Sequence, residues 1–121
     1  MVKLLVIRHG KTGWNLERRI QGRTDIALSD IGRAELENSR VPDEFADFDW
    51  VSSPLTRTRQ TAELLGGRNV RLEPAIIEMH WGDWEGETIP DLRQKYGEEF
   101  RYNESLGLNM TPPGGESPAD V

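Results

Sequence analysis

An apolar run ends abruptly on charge within the first ten residues: LLVI (4–7) is followed by Arg8, His9 and Gly10. A chain written this way delivers a guanidinium, a titratable ring and a flexible glycine to one point. Chemistry on an anion suits that combination, and phosphate is the anion it suits best. Neutral imidazole attacks phosphorus and carries the phosphoryl group as a covalent intermediate. Its second ring nitrogen must be held by an acceptor, so that the attacking nitrogen keeps its lone pair. Fixed cations must also surround the phosphoryl oxygens, where the transition-state charge resides. Arg8 offers one planar fork. Arg57 and Arg59, in the early turns of a later helix, are candidates for a second, aided by that helix's N-terminus. Helical periodicity does not choose between them.

The charge pattern points the same way. The protein is acidic, with a net charge of −6, which argues against nonspecific nucleic-acid binding. Yet residues 8–23 hold Arg8, Lys11, Arg18, Arg19 and Arg23 against the single acid Glu17. One basic segment in an acidic chain reads as a focused site for a small anion. Absence of cysteine excludes disulfides, thiolate catalysis and cysteine-based zinc sites. The opening MVKLLVIRHG is too short in apolar length for a secretory signal, and no stretch approaches membrane-spanning length. A cytoplasmic protein with no membrane partner is expected.

The elements that must position these residues alternate strand and helix. Residues 4–8 read as a buried strand, ending in β-branched Val6 and Ile7 before Arg8. Residues 10–28 read as a long functional loop containing Gly10, Gly13 and Gly22. Ser29 is an N-cap candidate for a helix over 30–39, closed by Pro42. A second strand is expected at 49–52. Ser53 and Pro54 then supply a cap and a first-turn proline for a helix to Leu65, with Leu55, Thr58, Ala62 and Leu65 as its stripe and Gly66 and Gly67 as its stop. A third strand follows at 70–72. Thr88 caps a helix to Tyr96, stopped by Gly97, with another turn or two beyond it. Ser117 and Pro118 again signal the start of a helix.

This alternation implies an α/β fold: three layers, a mostly parallel sheet with helices on both faces. Ligands collect beyond the carboxyl ends of such strands, where Arg8 and His9 leave the first and residues 53–55 leave the second. Three strands make a thin sheet for a parallel architecture. The chain is therefore expected to be the N-terminal portion of a single longer domain.

Four stretches in order, RHGKTGWN (8–15), RIQGRTDIALSDIG (19–32), SSPLTRTRQTA (52–62) and EMHWGDWEG (78–86), resemble the histidine phosphatase superfamily, with PPGGES (112–117) as a weaker fifth. The resemblance implies a phosphoglycerate mutase-like fold and a metal-independent, cofactor-free phosphomonoesterase acting on small phosphorylated substrates. It implies His9 as the phosphorylated nucleophile and Arg8 and Arg57 as phosphate clamps. Asn15 would donate its amide to a phosphate oxygen, and Gln21 and Gly22 would line the substrate side of the loop. Glu78 would protonate the leaving alcohol and then deprotonate water, in an environment to which Trp81 and Trp84 could lend apolar surface. Lys11 departs from the family pattern, which commonly has an acid there, and adds positive charge near the mouth. The family's second pocket histidine has no counterpart after Glu78, since His80 lies too near the acid. The chain alone is expected to be weakly active or inactive, and its last strand and helix to lie elsewhere.

Other readings fare less well. A nucleotide-binding loop around GKT (10–12) would need a glycine where Leu5 stands. A metal site on His9 and His80 lacks helical ligand spacing. Mutase-type phosphoryl transfer and a non-catalytic phospholigand- or partner-binding role remain the alternatives, and homo-oligomerisation stays open.

Overall fold

A computed structural model describes all 121 residues. The chain divides into two compact units, Met1–Gly13 with Ile26–Ile77, and Trp14–Asp25 with Glu78–Val121.

In the first unit, α2 (Asp30–Glu37) begins at Ser29, whose Oγ accepts from the Gly32 amide at 3.0 Å. That bond satisfies one of the orphan donors of the first turn. Strands β1 (Val51–Ser52) and β2 (Arg71–Leu72) pair in parallel, Val51 opposite Arg71 and Ser52 opposite Leu72. Between them runs α3 (Thr56–Leu64), completing a β–α–β crossover. Helix α3 starts later than the Ser53–Pro54 signal suggests. Ser53 Oγ is engaged with Thr58 Oγ1 at 2.7 Å, and Leu55 takes the cap position with no side-chain bond. Of the expected stripe, Leu55 and Ala62 are buried, while Thr58 and Leu65 are half-buried.

The expected first strand is not formed. Residues 4–8 make no ladder, and Leu4 and Val6 are 84% and 81% exposed. Composition specifies an extended apolar segment, but a strand also needs neighbours to take its amides and carbonyls. The only ladder in the chain joins β1 to β2.

In the second unit, α4 (Ile89–Ser105) is capped by Thr88, whose side chain accepts from the Asp91 amide. Gly97 adopts φ +53°, a left-handed conformation that breaks the helix in two where a stop was expected, and the second half runs on to Ser105. Leu92 and Phe100, one on each side of the break, bury against Trp84, with the Trp84 and Phe100 rings 4.8 Å apart. Each such burial contributes about 1.5–3 kcal/mol. Residues 117–120 form a single turn with the reciprocal bonds of a capping box, as the Ser117–Pro118 signal implies. Ser117 Oγ accepts from the Asp120 amide, and Asp120 Oδ2 accepts from the Ser117 amide. The short helix α1 (Gly13–Leu16) bridges the sequence between the units.

No helix is long and apolar enough to cross a membrane.

Candidate active site

Arg8, His9 and Arg57 all belong to the first unit. His9 is half-buried, and its Nδ1 lies 2.7 Å from the Gly10 carbonyl oxygen. A carbonyl only accepts, so Nδ1 carries the proton and the lone pair of the neutral ring sits on Nε2. The next amide fixes the loop to a helix: Gly10 N–H donates to Thr61 Oγ1 at 2.9 Å. Thr61 Oγ1 in turn donates to the Arg57 carbonyl at 2.8 Å. His9 is thus tied, through one residue, to the turn of α3 that carries Arg57. Periodicity left Arg57 and Arg59 equivalent, but the structure separates them, burying Arg57 to 1% exposure and leaving Arg59 in solvent. Arg8 is exposed.

The loop after His9 rests on α2 through a glycine. A Cβ on Gly32 would stand 2.1 Å from the Lys11 carbonyl oxygen, so only glycine allows this approach. The Lys11 carbonyl also accepts from the Ser29 amide at 2.9 Å and from Ser29 Oγ at 3.0 Å. Thr12, fully buried, bridges to Leu28. Lys11 Nζ pairs with Glu35 Oε1 of α2 at 2.9 Å.

Asn15, Gln21, Gly22 and Glu78 belong to the second unit. Asn15 is half-buried on α1, and Gln21 and Gly22 are buried. Residues 19–22 run beside 86–88: the Ile20 amide donates to the Glu87 carbonyl, and the Gly86 amide donates to the Ile20 carbonyl. Gly22 sits at φ +58° with Glu85 directly over it, and a Cβ there would lie 2.5 Å from Glu85 Oε2.

Glu85 is the residue that sequence reasoning missed. Its side chain is only 10% exposed. Oε1 accepts from the Thr24 amide at 2.6 Å and from the Thr24 hydroxyl, and Oε2 accepts from the Trp81 amide at 3.0 Å. Burial pushes this carboxyl up, but the Thr24 hydroxyl and the Thr24, Arg23 and Trp81 amides outweigh it and hold it below the usual carboxylate range. Glu85 therefore joins the Gln21–Gly22 loop to the segment following Glu78. In the sequence it is one acid among several in residues 83–87, with nothing to mark it.

Glu78 itself is exposed, and its Oε1 accepts from the Met79 amide at 2.9 Å. The apolar surroundings expected from Trp81 and Trp84 are not there. Trp84 is buried in the α4 core and Trp81 packs on the same cluster. Their large apolar faces gain more from Leu92 and Phe100 than from a carboxylate that would need desolvating.

These features converge with the likeness to known proteins. The family model described as "Histidine phosphatase superfamily (branch 1)" matches residues 4–121. Phosphoserine phosphatase 1 of Hydrogenobacter thermophilus is 37% identical over 126 residues, covering 100% of this chain and 59% of the relative. A 2,3-bisphosphoglycerate-dependent phosphoglycerate mutase of Gloeobacter violaceus is 35% identical over 132 residues, covering 100% of this chain and 58% of the relative. The structure of a mycobacterial glucosyl-3-phosphoglycerate phosphatase in complex with VO3 aligns with a TM-score of 0.77 at 32% identity, over 93% of this chain and 57% of that one. The chain thus spans a little over half the length of the proteins it matches. Phosphatases and mutases stand side by side among them, and the α/β architecture is that of phosphoglycerate mutase-like folds. With its motifs, its fold and a family match that runs from residue 4 to the last residue, this chain belongs to the histidine phosphatase superfamily, branch 1.

Proposed function

We propose that the protein hydrolyses small phosphomonoesters through a phosphohistidine on His9, without a metal ion. The observation that carries this reading is the His9 tautomer. Nδ1–H is committed to the Gly10 carbonyl, which leaves the lone pair of the neutral ring on Nε2, in a loop anchored one turn beyond the buried Arg57. In the first step Nε2 bonds to phosphorus, the bond to the ester oxygen breaks, and Glu78 gives its proton to the leaving alkoxide. In the second, Glu78 takes a proton from water, the water oxygen bonds to phosphorus, and the P–N bond breaks. Arg8 and Arg57 hold the phosphoryl oxygens, Asn15 donates to one of them, and Gln21 and Gly22 face the rest of the substrate. Residues 1–121 form the N-terminal portion of one such domain. The exposed apolar residues 4–7 await strand neighbours from the remaining length that the relatives possess, so this chain alone is weakly active or inactive in turnover. Cytoplasmic location belongs to the same reading.

The deciding experiment is a trap. The protein is incubated with labelled p-nitrophenyl phosphate in EDTA and quenched in alkali. Acid-labile, alkali-stable label is expected on the wild type and none on His9→Ala. Label that persists in His9→Ala, or that appears only when a divalent metal is supplied, refutes the mechanism. The likeness to the Gloeobacter mutase favours one second reading, transfer between hydroxyls of a phosphoglycerate. Transfer to glycerate faster than release to water would establish it.

A further inference from the structure

The PPGGES stretch (112–117) has no part in the chemistry above, yet its acid closes a chain of contacts that ends at Glu78. Arg23 extends from the loop after Gly22, and its Nε donates to the Glu78 carbonyl at 3.1 Å. Its Nη2 donates to both oxygens of Glu116 at 3.1 Å. Glu116 then grips the segment two residues past Glu78 from both sides. Its Oε2 accepts from the His80 amide at 3.0 Å, and its own amide donates to the His80 carbonyl at 2.8 Å. Gly115 permits that approach, because a Cβ there would stand 2.5 Å from the His80 carbonyl oxygen. The Asp83 amide donates to the Pro113 carbonyl at 2.8 Å, so residues 112–116 follow 78–83 along its length.

We propose that Glu116, acting through Arg23, is a positioning residue for Glu78: together they fix the backbone from which the general acid projects. The inference rests on the acid role given to Glu78 above. Stability is a poor explanation for the pair. The two side chains are 38% and 33% exposed, and partly solvated ion pairs contribute little to folding. Direction is what they supply. One guanidinium meets a carbonyl and a carboxylate at once, and a planar fork holds two partners at a fixed angle as no single ammonium would. The Met79 amide, bonded to Glu78 Oε1, reports whether the acid keeps its place.

The test uses Glu116→Ala, with Arg23→Gln breaking the same link from its other end while leaving residues 112–116 intact. Amide hydrogen exchange is followed on the 121-residue chain, with the Leu92 amide in α4 as the internal control. Exchange at Met79 is expected to rise about tenfold in both variants while Leu92 stays at its wild-type rate. Turnover of glycerol 2-phosphate is expected to fall about tenfold more than that of p-nitrophenyl phosphate at unchanged KM, because poor leaving groups need the acid most. Unchanged exchange at Met79 in both variants overturns the proposal whatever the activity. So does raised exchange with equal slowing of the two substrates, provided Glu78→Gln separates them. If Glu78→Gln slows both equally, the acid role of Glu78 fails instead, and Met79 exchange alone decides whether Glu116 and Arg23 hold the segment. A chain with no measurable turnover is decided by the same exchange.

Discussion

Replacing Glu85 by glutamine changes one oxygen to an NH2 group at nearly constant volume, and the geometry sets its cost. The wild-type carboxylate accepts at both ends, from Thr24 at Oε1 and from the Trp81 amide at Oε2. Glutamine has one acceptor end. With its oxygen toward Thr24, the NH2 group meets the Trp81 N–H, donor against donor, in a site only 10% exposed. One buried amide left unpaired costs about 1–3 kcal/mol, and the remaining bonds lose their charge assistance. A loss of about 2 kcal/mol at pH 7 is expected, which moves a urea midpoint by about 1 M at a slope of about 2 kcal/mol/M.

The pH dependence sharpens the test. Because the folded-state pKa of Glu85 lies below its unfolded value of about 4.3, the unfolded chain binds more protons through that interval. The stabilisation is therefore fully present above about pH 5 and is lost as pH falls through the folded-state pKa. The gap between wild type and Glu85→Gln should hold from pH 7 to about pH 5 and then close, since protonated Glu85 also has only one plain acceptor end. Urea melts at half-unit intervals from pH 7 to 3 measure it. A gap under about 0.5 kcal/mol at pH 7, or one of equal size at pH 7 and 3, refutes the account of Glu85 as the buried tie between the two segments.

Two further changes probe the seat of the His9 loop. Gly32→Ala should destabilise by about 1–3 kcal/mol in thermal unfolding, because the new Cβ collides with the Lys11 carbonyl. Helix propensity alone would make the same change stabilising by about 1 kcal/mol, so a raised Tm would show that the close approach does not matter. Ser29→Ala should cost about 1 kcal/mol through the lost Gly32 cap, read from urea midpoints, and a loss of no more than a few tenths would remove Ser29 from that role.

What the sequence makes legible is local. Ser29 and Thr88 cap the helices they precede, Gly97 breaks the regular path of its helix, and Leu55 and Ala62 are buried. Each depends on residues within a few positions, where side-chain type and spacing nearly determine the outcome. The misreadings involve distant partners. Ser53 is a good cap in isolation, but Thr58 takes its hydroxyl and the helix opens at Thr56. The pairing of Lys11 with Glu35, 24 residues on, is likewise invisible in the local sequence. Residues 4–8 have the composition of a strand, but composition cannot supply a neighbour.

Glu78 and Glu85 show the same limit within the candidate site. Both are glutamates in one short stretch beside tryptophans, and the resemblance assigned the apolar environment to the first. The structure buries the second and leaves the first exposed. That exchange is physically consistent with their separate tasks. A carboxylate ringed by the Thr24 hydroxyl and three backbone amides is held in its charged form and has little tendency to take or give a proton near neutrality. It serves as a fixed anchor. The acid proposed above must trade protons with a leaving group and with water, which asks for a carboxyl within reach of both. The Glu78 carboxyl is exposed, while Arg23 holds its carbonyl and Glu116 holds His80 two residues on. In this stretch the buried acid is the structural one, and rigidity reaches the exposed acid through its main chain.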